Sequence, residues 1–243
     1  MSNTGARLLN RCLEIGRKLL PHYCLLCGAA SHPSLLCAAC DRTLVRPPLA
    51  RCPVCALPAP AANTCGACLA HPPHYDAVAA AFIYAYPLDA LIQSFKYGAN
   101  LVVARLLGEA LADAVAEQHV DLIVPMPLSL ARLRERGFNQ AHEIARYLAA
   151  ASGLPIARSA CRRVIDTAAQ AALPWKARAG NVRGAFACDA DLSGCTVAIV
   201  DDVMTTGATV DELARCMRRA GAREIRAWVA ARALRRDNHA SAA

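Results

Sequence analysis

"TVAIVDDVMTTGATVDELARCMRRAGA", residues 196–222, decides the fold. Val197–Val200 is an unbroken apolar run, the pattern of a strand covered on both faces. Asp201 and Asp202 close that strand. A short turn from Met204 to Thr209 follows, and "TVDELARCMRRAGA" then has helical apolar spacing and ends at a glycine. Strand, turn and helix in this order are the repeating unit of a parallel sheet. The turn carries Thr205, Thr206, Gly207, Ala208 and Thr209. Free backbone N–H groups at a helix start attract an anion, glycine permits positive φ and close approach, and three hydroxyls add donors. That half of the stretch suits a phosphate monoester. The two carboxylates would repel such a group, so they need another partner. Vicinal hydroxyls a few ångströms along the same ligand meet the need, and a ribose 5-phosphate has that shape. A magnesium ion can be shared nearby.

Working outward, the same alternation recurs. "AVAAAFIYAY" reads as a strand, "LDALIQSFKYG" and "LVVARLLGEALADAVAEQ" as helices, and "DLIVPMP" as a short buried strand stopped by prolines. "NQAHEIARYLAAASG" reads as a helix and "EIRAWVAARAL" as a last strand. Alternating strands and helices imply a parallel α/β sheet covered on both faces, with ligands beyond the carboxyl ends of its strands.

The N-terminal third is different. Eight of 13 cysteines form four CxxC pairs: Cys24/Cys27, Cys37/Cys40, Cys52/Cys55 and Cys65/Cys68. Nine residues separate the first pair from the second, and nine the third from the fourth, so one unit is used twice. Zinc takes four thiolates in a tetrahedron, and a CxxC turn presents two. Two structural zinc ions are expected, paired sequentially; an interleaved cross-brace would use the same cysteines. Cys12, Cys161, Cys188, Cys195 and Cys216 are scattered and read as small buried residues. His22, His32, His71 and His74 read as surface residues of the zinc segment.

Net charge is +8, almost all of it from arginine, which favours phosphorylated or polyanionic partners. Charges interrupt the leucines of residues 1–21, which suggest an amphipathic helix rather than a signal peptide. The longest apolar run, 77–86, is too short to span a bilayer. A cytoplasmic location with reduced thiols is expected.

"VAIVDDVMTTGAT" closely resembles the phosphoribosyl-pyrophosphate (PRPP) motif of type I phosphoribosyltransferases. Together with the zinc segment, the chain resembles the ComF/GntX family over nearly its whole length. The resemblance implies a parallel-sheet phosphoribosyltransferase-like domain at 76–243, a double zinc ribbon at 22–75, and PRPP held with magnesium. It points to Lys96 in "FKYGAN" and to "VPMPLSLARLRERGFNQA" after the second strand, where such enzymes have their pyrophosphate loop. There, Arg132, Arg134 and Arg136 cluster beside Gly137 and could meet a pyrophosphate, while Asn139 and Gln140 could cap a helix or touch ligand. Residues 162–186 resemble the family's segment over the active site, which would bring in Arg163, Thr167 and Gln170.

In a transfer reaction Asp201 and Asp202 would stabilise charge on the ribose ring. Hypoxanthine-guanine enzymes have an aspartate where Thr205 stands, which argues against a 6-oxopurine acceptor. Three readings follow: a PRPP-binding factor that handles single-stranded DNA in natural transformation, an active phosphoribosyltransferase, or a zinc-ribbon adaptor docking a protein partner. The first is favoured.

Overall fold

The computed structural model describes residues 22–165 and 182–234. The expected N-terminal helix of residues 1–21 lies outside them, as do Thr167 and Gln170. The chain divides into two compact units, Met1–Leu44 and Val45–Ala243. In the first unit a tight turn at Cys24–Gly28 is closed by Gly28 N donating to Cys24 O at 2.9 Å, and a short helix α1 (Ala38–Asp41) follows Cys37.

The second unit opens with the matching turn at Cys52–Ala56, where Ala56 N donates to Cys52 O at 2.9 Å, and its own short helix α2 (Gly66–Ala70) after Cys65. The sheet then begins. Its strands are β1 (Ala77–Ile83), β2 (Leu122–Pro125), β5 (Thr196–Met204) and β6 (Glu224–Arg232), in spatial order β1-β6-β5-β2, all parallel. A separate antiparallel pair joins β3 (Cys161–Arg163) to β4 (Phe186–Cys188). The helices are α3 (Leu88–Tyr97), α4 (Val102–Ala114), α5 (Leu130–Arg136), α6 (Gln140–Ser152) and α7 (Ala208–Arg219). The fold is therefore the parallel-sheet α/β class that the sequence predicts.

Strand alternation divides the core. Val197 and Ile199 of β5, with Ile225, Ala227 and Val229 of β6, share one buried cluster with Leu213 and Met217 of α7. On the other side α4 and α6 pack closely at Gly108, where a Cβ would stand 2.6 Å from Tyr147 Cβ and 2.7 Å from Ile144 O. That approach seats α6, whose N-terminus faces the site. Asn139 caps α6 by accepting from His142 N at 3.3 Å, and Gly153 ends it in the left-handed region.

Two sequence readings change. The central strand does not stop at Val200: its ladder with β6 continues through Asp201↔Val229 to Met204↔Arg232. The two aspartates thus sit inside the strand, Asp201 partly accessible and Asp202 buried. The arginine-rich stretch, which the resemblance places in a pyrophosphate loop, is a helix, α5, capped by Ser129 and closed by Gly137 at φ 77°.

Candidate functional site

The carboxyl ends of β2 and β5 bring the loops into α5 and α7 to one edge of the sheet. Among the described residues no helix is long and apolar enough to cross a membrane.

At this edge Asp202 is buried and forms an ion pair with Lys96 Nζ at 2.8 Å, with side-chain exposures of 12% and 19%. Lys96 sits in the last turn of α3, so an amphipathic helix delivers its one cation to the acidic strand end. Burial works against the Lys96 charge, but the Asp202 carboxylate, with Asp201 behind it, holds the ammonium above its ordinary pKa. Asp201 is half-buried. Burial first, and then the Asp202 charge, push its carboxyl up to about 7; the Asp202 N–H, Lys96 and Arg163 pull the other way. The strand end therefore holds one carboxylate paired with an ammonium, and beside it Asp201, poised to titrate near neutrality.

The loop from β5 into α7 follows. Gly207 has φ 87°, which favours glycine, and the side Cβ would occupy is filled: Met204 Cε would lie 2.6 Å away and Tyr75 Oη 3.1 Å. Ala208 N donates to Thr206 Oγ1 at 3.2 Å, and α7 begins at Ala208. Thr205, Thr206 and Thr209 are all partly accessible along this turn.

The arginines separate. Arg132 and Arg136, four apart on α5, share a face, while Arg134 lies roughly 200° round the helix and is exposed. Arg136 Nη1 donates to Gln140 Oε1 at 3.1 Å, and its guanidinium stands 5.4 Å from the Tyr97 ring centroid. Its Nε, and Gln140 Nε2, are buried donors with no acceptor among the described residues. Asn139 both caps α6 and donates to Met126 O at 3.0 Å, tying the loop after β2 to that helix. Arg163 Nε donates to Ile165 O at 3.2 Å, and its charge reaches Asp201.

The tetracysteine groups gather sequentially. Cys24, Cys27, Cys37 and Cys40 lie within 4.8 Å of one another, and so do Cys52, Cys55, Cys65 and Cys68. Cys27 Sγ to Cys37 Sγ is 3.8 Å and Cys55 Sγ to Cys65 Sγ is 3.7 Å. A tetrahedral zinc with bonds of about 2.3 Å needs sulfurs about 3.8 Å apart, so both groups fit the ion. Cys65 N donates to Cys52 Sγ at 3.3 Å. Burial raises the Cys52 thiol pKa, but such backbone donors outweigh it and bring the thiol down to about 7, favouring the thiolate a metal requires. All four positions are filled by protein, so these centres are structural.

Two contributors escaped the sequence reading. Tyr75, 6% exposed, backs Gly207. Arg232, 2% exposed, ends β6 beneath the loop. The signal was present for Arg232, a charge ending the apolar run 227–231.

Two family models match: a double zinc ribbon domain over residues 15–69 and a phosphoribosyl transferase domain over 102–242. The chain is 34% identical over 226 residues to the DNA utilization protein YhgH of Salmonella typhimurium, covering 88% of this chain and 99% of that one. It is 35% identical over 182 residues to competence protein F of Haemophilus influenzae, covering 71% and 80%. It is 24% identical over 206 residues to competence protein ComFC of Bacillus subtilis, covering 83% and 73%. With a zinc ribbon and a phosphoribosyltransferase domain in one chain, aligned with nearly the full length of the Salmonella relative, the protein belongs to the ComF/GntX family.

Proposed function

We propose that the protein binds PRPP with magnesium at the β5–α7 edge and uses the bound state in handling single-stranded DNA. The observation that carries the reading is the pair of buried donors, Arg136 Nε and Gln140 Nε2, that find no acceptor among the described residues, on the same sheet edge as Lys96 and the loop into α7. Buried donors without acceptors are costly, and an anionic ligand would satisfy them. In this reading Thr205–Thr209 hold the 5-phosphate. Asp201 and Asp202 accept from the ribose hydroxyls. Lys96, Arg132 and Arg136 face the pyrophosphate. Arg134, on the outer face of α5, remains for a polyanion. Magnesium would neutralise the diphosphate, and the chain's own part is to orient both ends of the ligand. Residues 22–75 act as the zinc-bearing part and 76–243 as the phosphoribosyl part.

The DNA half of the reading rests on the net charge of +8 and on relatives named for DNA utilization and competence. Arginine contacts to phosphates release counterions, so single-strand affinity should fall steeply with salt. With 5% aromatics, base stacking adds little and sequence preference should be slight.

Calorimetry with magnesium–PRPP, followed by pyrophosphate release across a panel of bases, tests the proposal. Binding without turnover supports it. Turnover with one base makes the chain a transferase. If no heat is seen for PRPP, the site reading fails; the ribbons' role as a docking module for a protein partner then becomes the leading account.

A further inference from the structure

The second tetracysteine segment and the phosphate loop belong to the same compact unit and meet at three points. The first is Arg232. Its Nε donates to Cys55 O at 2.9 Å, and its Nη1 donates to Met204 O and Ala233 O at 2.9 Å each, and to Thr205 O. One buried guanidinium thus holds the backbone of a metal-ligating cysteine and the backbone entering the phosphate loop. The second point is Tyr75, whose hydroxyl backs Gly207. The third is His74, whose N–H donates to Asp211 Oδ1 at 2.6 Å in the first turn of α7. The electrostatics agree with the geometry. A zinc ion held by four thiolates keeps net negative charge, which suits an adjacent buried guanidinium.

We propose that Arg232 is the positioning residue through which the second cluster shapes the phosphate loop, so that metal occupancy at Cys52/Cys55/Cys65/Cys68 and binding of a phosphate monoester at Thr205–Thr209 are linked. The proposal deepens the PRPP reading and rests on it for the identity of the ligand. The fork of a guanidinium can satisfy several carbonyls at once, which an ammonium cannot. If Cys55 shifts when its metal leaves, Arg232 shifts with it, and the carbonyls of Met204 and Thr205 lose their donor. Linkage is reciprocal: a ligand that needs the ordered loop must raise the metal's affinity by the same factor by which metal loss weakens the ligand, and where metal association is unchanged that gain is read as slower release.

The test uses the full zinc-loaded chain. Zinc release to a chromophoric chelator is followed with and without ribose 5-phosphate, and Cys27→Ser, which disables the first cluster, assigns the phase that belongs to the second. Ribose 5-phosphate should slow the second-cluster phase about tenfold, corresponding to about 1.4 kcal/mol of coupling, and leave the first unchanged. Arg232→Lys should speed second-cluster release without ligand, spare the first, and abolish the ligand effect. If calorimetry shows ribose 5-phosphate binding while both phases stay unmoved, the linkage is wrong and the PRPP reading stands. If no binding is seen, the PRPP reading falls. Arg232→Lys then decides the positioning role alone: release of both ions at wild-type rates overturns it. Should Arg232→Lys fail to fold by circular dichroism, the wild-type experiment with ribose 5-phosphate decides the linkage by itself.

Discussion

Asp201 and Asp202 are neighbours of the same type, yet their amides should shift stability in opposite directions. The sequence suggests that both sit at an exposed strand end and tolerate Asn equally. The structure separates them. Asp202 is 9% exposed and paired with Lys96 at 2.8 Å. Asp202→Asn leaves a largely buried ammonium without its carboxylate, and breaking such a pair costs about 3–5 kcal/mol. Asp201 is held against its charge, its carboxyl pushed from 3.8 up to about 7 by burial and by Asp202. Each pKa unit is worth about 1.4 kcal/mol, so ionising it in the fold costs on the order of 4 kcal/mol, of which about half remains after solvent screening of a partly accessible group. An amide removes that cost, and its Oδ1 can still accept from the Asp202 N–H, as the carboxylate does at 2.8 Å.

The sign follows from linkage. With the folded pKa above the unfolded one, the native state binds the proton more tightly. The stability this gives is fully present below about pH 4 and is lost as pH rises through about 7. Asp201→Asn should therefore match wild type near pH 4 and exceed it at pH 8. The assay is urea unfolding at several pH values, read by buried Trp228 in a Trp175→Phe background. With a slope of about 2 kcal/mol/M, a 2 kcal/mol gain moves the midpoint about 1 M upward. Equal midpoints for the two amides, or a loss for Asp201→Asn at pH 8, would refute the electrostatic assignment of this strand.

Further outcomes are expected. Metal analysis should find two zinc ions per chain, and Cys24→Ser and Cys52→Ser should each lose one; both ions retained in either variant would contradict the sequential clusters. Affinity for magnesium–PRPP should fall about tenfold per unit as pH drops below 7, because Asp201 gains a proton; a flat profile between pH 5.5 and 8 would remove it from the ligand contacts. Gly207→Val should abolish ribose 5-phosphate binding through the loop itself, since its side chain would meet Met204 and Tyr75 at a φ of 87°; wild-type affinity in the folded variant would show that the loop does not hold the phosphate.

What could be read from the chain was what neighbours in sequence determine. Val197–Val200 announces a buried strand, Gly221 closes the following helix, and nine-residue gaps between CxxC pairs announce two equivalent clusters. What could not be read lies between distant residues. Lys96 and Asp202 are 106 positions apart, and no local pattern distinguishes this lysine from one on the surface. The strand runs past Val200 because β6 continues to offer ladder partners to Asp201 and Val203, a property of the partner strand. The β3–β4 pair is three residues a side, too short for alternation to declare itself. The three arginines look like a cluster on paper, and helical phase divides them.

The Lys96–Asp202 pair has a consequence for selectivity. Because the ammonium is already neutralised, the site behaves as an ion exchanger whose counter-ions are built in. Chloride or bare phosphate that drew Lys96 away would strand Asp202, so simple salts gain little there. On the proposed PRPP reading, a diphosphate arriving with its own divalent cation would replace both members of the pair in one event. Such a pocket would act as a coincidence detector, answering to anion and metal together and staying silent to either alone.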